Sequence, residues 1–278
     1  MILEKLISIA KQGQSKIAIG VGEHSEYVKR TIKVAEKVTK EKLAEIILIG
    51  DKTPKNCILE FIETSSPEKS IITLLYQNKV DGIVRGSLSS SKFLDNLKNI
   101  FKKDIFYRLA LLETAVLKHT FLFCPVGIDE CKNVDEKLYF IKEGSSLLKK
   151  LEIEPKIAVL SGGREEDKKR GTRIANTIDE AIEVVERAGK LGIHNIKNYN
   201  ILIEDAIKDK ANLIIGPEGI SGNLIYRTLV HLGAGKSHGA VYLGLDRPVI
   251  DTSRVGPEFE YFSAIAFASA MHFLQIKK

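Results

Sequence analysis

Val80-Asp81-Gly82-Ile83-Val84-Arg85-Gly86-Ser87-Leu88-Ser89-Ser90-Ser91 holds a strand, a turn and a helix start in one short stretch. Gly82 to Val84 is a short apolar run suited to a buried strand, Arg85 closes it, and Gly86 lets the backbone turn. The serines that follow suit a helix N-terminus, where a hydroxyl oxygen accepts an otherwise unpaired N–H. One serine is enough for a cap. A run of them beside an arginine is what an anion such as phosphate needs, so Arg85, Gly86, Ser87, Ser89 and Ser90 form the expected anion cradle.

Outward from this stretch, strand-like runs alternate with segments of helical period, the pattern of a parallel sheet crossed by helices. Upstream lie a helix from Leu3 to Gln12, strands at Lys16–Val21 and Glu45–Gly50 with a helix over Ser25–Lys40 between them, the apolar run Cys57–Ile62, and a helix opened by Ser66-Pro67-Glu68. Downstream, a helix over Ser91–Phe101 precedes Arg108–Leu112 and Thr120–Cys124, two runs close enough to suggest an antiparallel or mixed pairing. Alternation then resumes: a helix at Val134–Leu151, a strand at Lys156–Leu160, a helix at Ile178–Leu191, a strand at Asn212–Ile215, a helix at Asn223–Leu232, a strand at Ala240–Leu243 and a last helix at Pro257–Leu274. The expectation is an α/β protein of two domains, with mainly parallel sheets and helices on both faces. Residues 1–92 plus 257–278 make one domain and 93–256 the other, with the active-site cleft between them.

A chain of 278 residues can bury a large core, and 44% hydrophobic with 28% charged residues excludes disordered and fibrous designs. The net charge of +6 suits an anionic small molecule as well as nucleic acid. Aromatics at 7%, with no Trp and with Lys spread along helical faces, argue against a nucleic-acid reader. Cys57, Cys124 and Cys131 form no paired motif, so neither a disulfide framework nor a metal site is expected. Met1 to Lys5 reads as the start of an amphipathic helix, and Ser263–Ile276 is too short to span a bilayer, so the expected location is the cytoplasm. A homodimer is compatible with all of this.

In parallel sheets ligands bind beyond the carboxyl ends of strands, so other loops compete with the serine stretch. Gly20-Val21-Gly22-Glu23-His24-Ser25 is a two-glycine turn that lacks the third glycine of a dinucleotide site, and Asp51 is the nearest acid after the second strand. Ser161 to Arg173 gathers Arg164, Lys168 and Arg170 around acidic residues, either a solvated loop or a hold on an anionic cofactor tail. Gly216 to Tyr226 opens a helix with more polar and glycine residues than capping requires, which makes Asn223 and Tyr226 candidate substrate or cofactor contacts. In the last loop, Asp251 joins them, Ser253 offers a donor and acceptor, Arg254 a planar charge, and Glu260 either a base or a helix-end charge held by the macrodipole.

Val80–Ser87, Glu154–Ser161, Ala211–Ile215 with Gly222–Tyr226, and Pro248-Val249-Ile250-Asp251-Thr252-Ser253-Arg254 together resemble the phosphate acetyl/butyryltransferase family. The resemblance implies a phosphotransacetylase-like fold, shared with isocitrate and isopropylmalate dehydrogenases, and puts Ser253 and Arg254 on a catalytic Ser-Arg pair. Val255 stands where that family has glycine, and Glu260 where it has an aspartate assigned as thiol base. Over its whole length the chain is more similar to the MtxX proteins of methanogenic archaea, methanogen marker protein 4, which are named as methyltransferases. That implies a transferase acting on a small group carried by an anionic cofactor, coenzyme A-like or a methyl carrier, with no metal. The alternatives are acyl transfer between acyl phosphate and coenzyme A, or non-catalytic ligand binding on the same fold.

Overall fold

The computed structural model describes residues 2–55 and 57–276. In chain order its elements begin with α1 (Ile2–Ala10), β1 (Lys16–Val21), α2 (Ser25–Lys40), β2 (Glu45–Gly50), β3 (Glu60–Glu63), α3 (Pro67–Tyr76), β4 (Gly82–Val84) and α4 (Ser90–Phe101). There follow β5 (Arg108–Glu113), β6 (Thr120–Cys124), α5 (Val134–Lys150), β7 (Ile157–Leu160), α6 (Thr172–Lys190), β8 (Ile196–Asn200), α7 (Ile203–Lys208), β9 (Leu213–Ile215) and α8 (Gly219–Arg227). The chain ends with β10 (Lys236–Tyr242), β11 (Val249–Asp251) and α9 (Glu258–Ile276). It divides into two compact units, residues 3–106 with the chain from His238 onward, and residues 107–237.

The first unit carries the strands β3-β2-β1-β4-β11-β10, parallel except for β10, which runs against β11. β1 and β2 are buried beyond their first residue, as expected for strands covered on both faces. α3 and α4 set Ile71, Ile72, Leu75, Phe93 and Leu97 against Ala18, Ile47, Ile83 and Val249 in one apolar cluster. α2 and α9 lie against the other face. α2 buries Thr31, Val34, Ala35 and Val38, the spacing of one helical stripe. α9 buries Tyr261 and every residue from Ala264 to Ala268 with no exposure, which is why its sequence is apolar on all sides.

β11 hydrogen-bonds alongside β4: Ile83 N–H donates to Pro248 O at 2.9 Å and Arg85 N–H to Ile250 O at 2.9 Å. That pairing moves both domain boundaries. The division falls at 106/107 and 237/238 rather than at 92/93 and 256/257, because α4 completes the first unit's core and β11 extends its sheet. The second unit orders its strands β5-β6-β9-β7-β8, with the β5–β6 pair antiparallel as expected and the others parallel. Three of its details depart from expectation. β8 is an edge strand burying only Tyr199, so it shows no apolar run. α6 starts at Thr172, a turn and a half before its first buried residue, Ile178. α8 starts early at Gly219, where the Glu218 carboxylate accepts the N–H groups of Ile220 and Ser221. Among the described residues no helix is long and apolar enough to cross a membrane.

Candidate active site at the carboxyl ends of the first sheet

β3, β2, β1, β4 and β11 are parallel, so their following loops emerge on one side of the sheet. The β4 loop is seated directly on the β1 loop. Ser87 N–H donates to Gly20 O at 3.1 Å, and Gly22 N–H donates to Ser87 Oγ at 2.7 Å. Gly86 makes the turn at φ +62°, where a Cβ would stand 2.1 Å from Gly20 O. A Cβ on Gly22 would meet Ser87 O at 2.6 Å. The glycines of the turn after β1 and at position 86 are therefore used to seat the β4 loop on the β1 loop.

Arg85, expected in the anion cradle, is turned into the protein instead. Its guanidinium is 5% exposed and donates to the Asp251 carboxylate, to Leu88 O at 2.6 Å and to Thr252 O. Burial opposes its charge, but Asp251 overrides that and holds the guanidinium above its ordinary pKa. Asp251 is thereby held in the ion pair with Arg85. Thr252 ties the same place together, donating from Oγ1 to Gly86 O at 3.0 Å. Buried pairing of this kind fixes two loops against each other.

One residue further on, the chain leaves the interior. Ser253 is half-buried and Arg254 is exposed. No hydrogen bond or ion pair to the Arg254 guanidinium is found among the described residues; its backbone O accepts from Arg30 Nη2 and Tyr261 Oη. Glu260, expected as a base, is 1% exposed, and its carboxylate accepts the Ser253 N–H at 2.7 Å. It holds the turn that presents Arg254. The helix-end reading of Glu260 is the one its position fits.

A cavity of about 310 Å³ opens above these loops, lined wholly by the first unit. Arg254, Lys92, Ser87 and Ser89 stand on it together with the carboxylates Glu23, Asp51 and Glu68 and with His24. Ser89 caps α4 by position, yet its hydroxyl makes no capping bond and lies 3.3 Å from Ser91 Oγ. Its N–H is taken by Glu68 Oε1 at 3.1 Å. Lys92 and Arg254 make the basic part of the cavity. Burial, and after it the charges of Glu23 and Glu68, raise the Asp51 carboxyl above its ordinary range, while Lys92 opposes them.

The cavity thus brings together Ser87, Ser89 and Arg254 from the sequence candidates, while Gly86 and Ser253 do not line it. Ser90 is exposed on the first turn of α4 and does not line it. Arg164, Lys168, Arg170, Asn223 and Tyr226 belong to the second unit. Lys168 pairs with Asp179 at 2.8 Å and Arg170 with Asp167 at 3.1 Å, so their charges are met locally. Asn223 Nδ2 donates to Val126 O at 2.8 Å, and Tyr226 sets its ring edge-on to His231. Glu23, Glu68 and Lys92 escaped the sequence reading. Their signal was position alone, since each follows a strand or opens a helix, where acidic and basic residues are common for other reasons.

No family model matches the chain. A protein of Methanosarcina acetivorans named "putative methyltransferase mtx subunit X" is 40% identical over 276 residues, 98% of this chain and 96% of the relative. Among solved structures, a phosphotransacetylase from Streptococcus pyogenes superposes with a TM-score of 0.71 at 17% identity, over 98% of each chain. A branched-chain phosphotransacylase from Enterococcus faecalis gives 0.69 at 18% identity, over 94% of this chain and 99% of that one.

Proposed function

The chain belongs to the MtxX family, a transferase on the fold of the phosphate acetyl- and butyryltransferases, and from that premise we propose that the group it moves is acyl, passed between phosphate and an anionic thiol carrier. The observation that carries this reading is one cavity holding a guanidinium unclaimed by the described residues, Ser87, Ser89 and Lys92, beside the carboxylates of Glu23, Asp51 and Glu68. A leaving phosphate needs that set. In the proposed step the thiol sulfur attacks the acyl carbon, the C–S bond forms, and the bond from that carbon to the phosphate oxygen breaks. Phosphate departs with the electron pair, and Arg254 and Lys92 receive the developing charge. In this reading Ser253, which precedes Arg254 on the same turn, is assigned the bond to the reacting carbonyl. The thiol proton goes to Asp51, which stands on the cavity, in place of Glu260, which is buried and accepts the Ser253 N–H.

The test is thioester formation from coenzyme A and a panel of acyl phosphates, run beside S-adenosylmethionine and methylated carriers under anaerobic conditions. Thioester formation is expected, with Arg254→Ala lowering turnover by about 10²–10³-fold. Methyl transfer without thioester would replace the acyl reading, as the name of the relatives implies. Binding of phosphate and coenzyme A with neither chemistry would make this a binding protein on a transferase fold.

A further inference from the structure

Arg30, on α2, stands outside the cavity lining but contacts Arg254, which lines it. Its Nη2 donates to the backbone O of Arg254 at 2.7 Å, and the Tyr261 hydroxyl donates to the same oxygen at 3.2 Å. Arg30 Nη2 also reaches Tyr261 Oη at 3.4 Å. The guanidinium carbon lies 5.0 Å from the centre of the Tyr27 ring and 4.9 Å from that of Tyr261, within cation–π range of both. Nε is buried without a hydrogen-bond partner among the described residues, so the charge is held there by the two rings and by the Arg254 carbonyl. Tyr27 meets His24 edge-on at 5.3 Å, and His24 is itself on the cavity wall. Tyr261 is fully buried on α9 and gives this node a fixed base.

We propose that Arg30 is a positioning residue for the cavity, clamping the Arg254 carbonyl with Tyr261 and coupling that turn to the His24 wall through Tyr27. The inference rests on the anion-binding role given to Arg254. A flexible turn would leave the Arg254 side chain to sample directions away from the cavity, and anion affinity would fall with the fraction correctly aimed. A lysine at position 30 keeps the charge but not the planar fork that serves carbonyl and hydroxyl together.

The experiment is a double-mutant cycle on sulfate affinity, measured calorimetrically on the full chain with Arg30→Met, Arg254→Ala and the pair. Arg30→Met alone is expected to weaken sulfate about tenfold, and by less than twofold when Arg254 is already Ala. Arg30→Lys should recover little of the loss. Equal losses in both backgrounds, or none in either, would overturn the assignment. Hydrogen exchange at the amides of residues 253–256 decides it without any ligand. Faster exchange there in Arg30→Met, with Arg30→Lys equally fast and the thermal transition kept within a few degrees, is the expected result. Unchanged exchange would overturn the clamp. Should the natural protein bind no sulfate, the proposed function fails while the exchange result still decides the role of Arg30. Should Arg30→Met not fold, Tyr261→Phe, which keeps the ring and removes one of the two donors, takes its place in both measurements.

Discussion

An arginine that follows a parallel strand can satisfy its charge by turning into the protein or by facing solvent, and Arg85 and Arg254 take one course each. Arg85 is buried against Asp251, so Arg85→Met removes the arginine partner of a largely buried carboxylate and should cost about 3 kcal/mol in urea unfolding. Arg254→Ala removes an exposed side chain and should change stability by no more than about 0.5 kcal/mol, while sulfate or phosphate affinity falls by about 1.5–3 kcal/mol. Opposite results for the two variants would exchange their roles. Both arginines were legible as site candidates, but residue type and neighbours do not say which way a side chain turns. What committed Arg85 was Asp251, 166 positions away and invisible as a neighbour in the sequence.

Asp51 gives the cavity a pH dependence. Its carboxyl is raised by burial and by Glu23 and Glu68, so each step of pH through that raised value adds negative charge beside the anion site. Sulfate does not titrate in this range, so its affinity should be highest with Asp51 protonated and fall as pH rises. Asp51→Asn should flatten this part of the profile and tighten binding on its alkaline side. A wild-type profile in which affinity rises with pH would contradict the assignment.

At the scale of elements, the β4 turn brings Ser87 and Ser89 to the site, and Gly86 is its most restricted residue. A methyl there would meet a backbone oxygen at 2.1 Å, in a left-handed conformation that disfavours side chains. Gly86→Ala should therefore cost at least about 2 kcal/mol in unfolding and weaken sulfate binding, because Ser87 moves with the turn. An unchanged melting temperature would show that the two loops can separate at little cost. The β4 turn was readable because strand, glycine and helix cap are adjacent in sequence. β8 and the first turns of α6 were not, since an edge strand with one buried tyrosine and a helix start with no buried residue carry no periodic apolar signal.

For the whole molecule, the alternation of strands and helices made the α/β class and the mainly parallel sheets legible, and the long apolar α9 marked itself as buried in the first unit. The boundaries were harder, because a three-residue strand such as β11 declares its sheet only through the β4 edge it pairs with. The carboxylate part of the cavity was also hidden, since β1, β2 and the start of α3 are brought together only by folding. The central claim is that this fold uses its cavity for acyl exchange with phosphate. Its most direct measurement is the release of free thiol from acetyl- and butyryl-coenzyme A with and without inorganic phosphate. Release is expected to require phosphate, to yield the matching acyl phosphate and to be lost in Arg254→Ala. Release that is independent of phosphate, or that persists undiminished in Arg254→Ala, would contradict it.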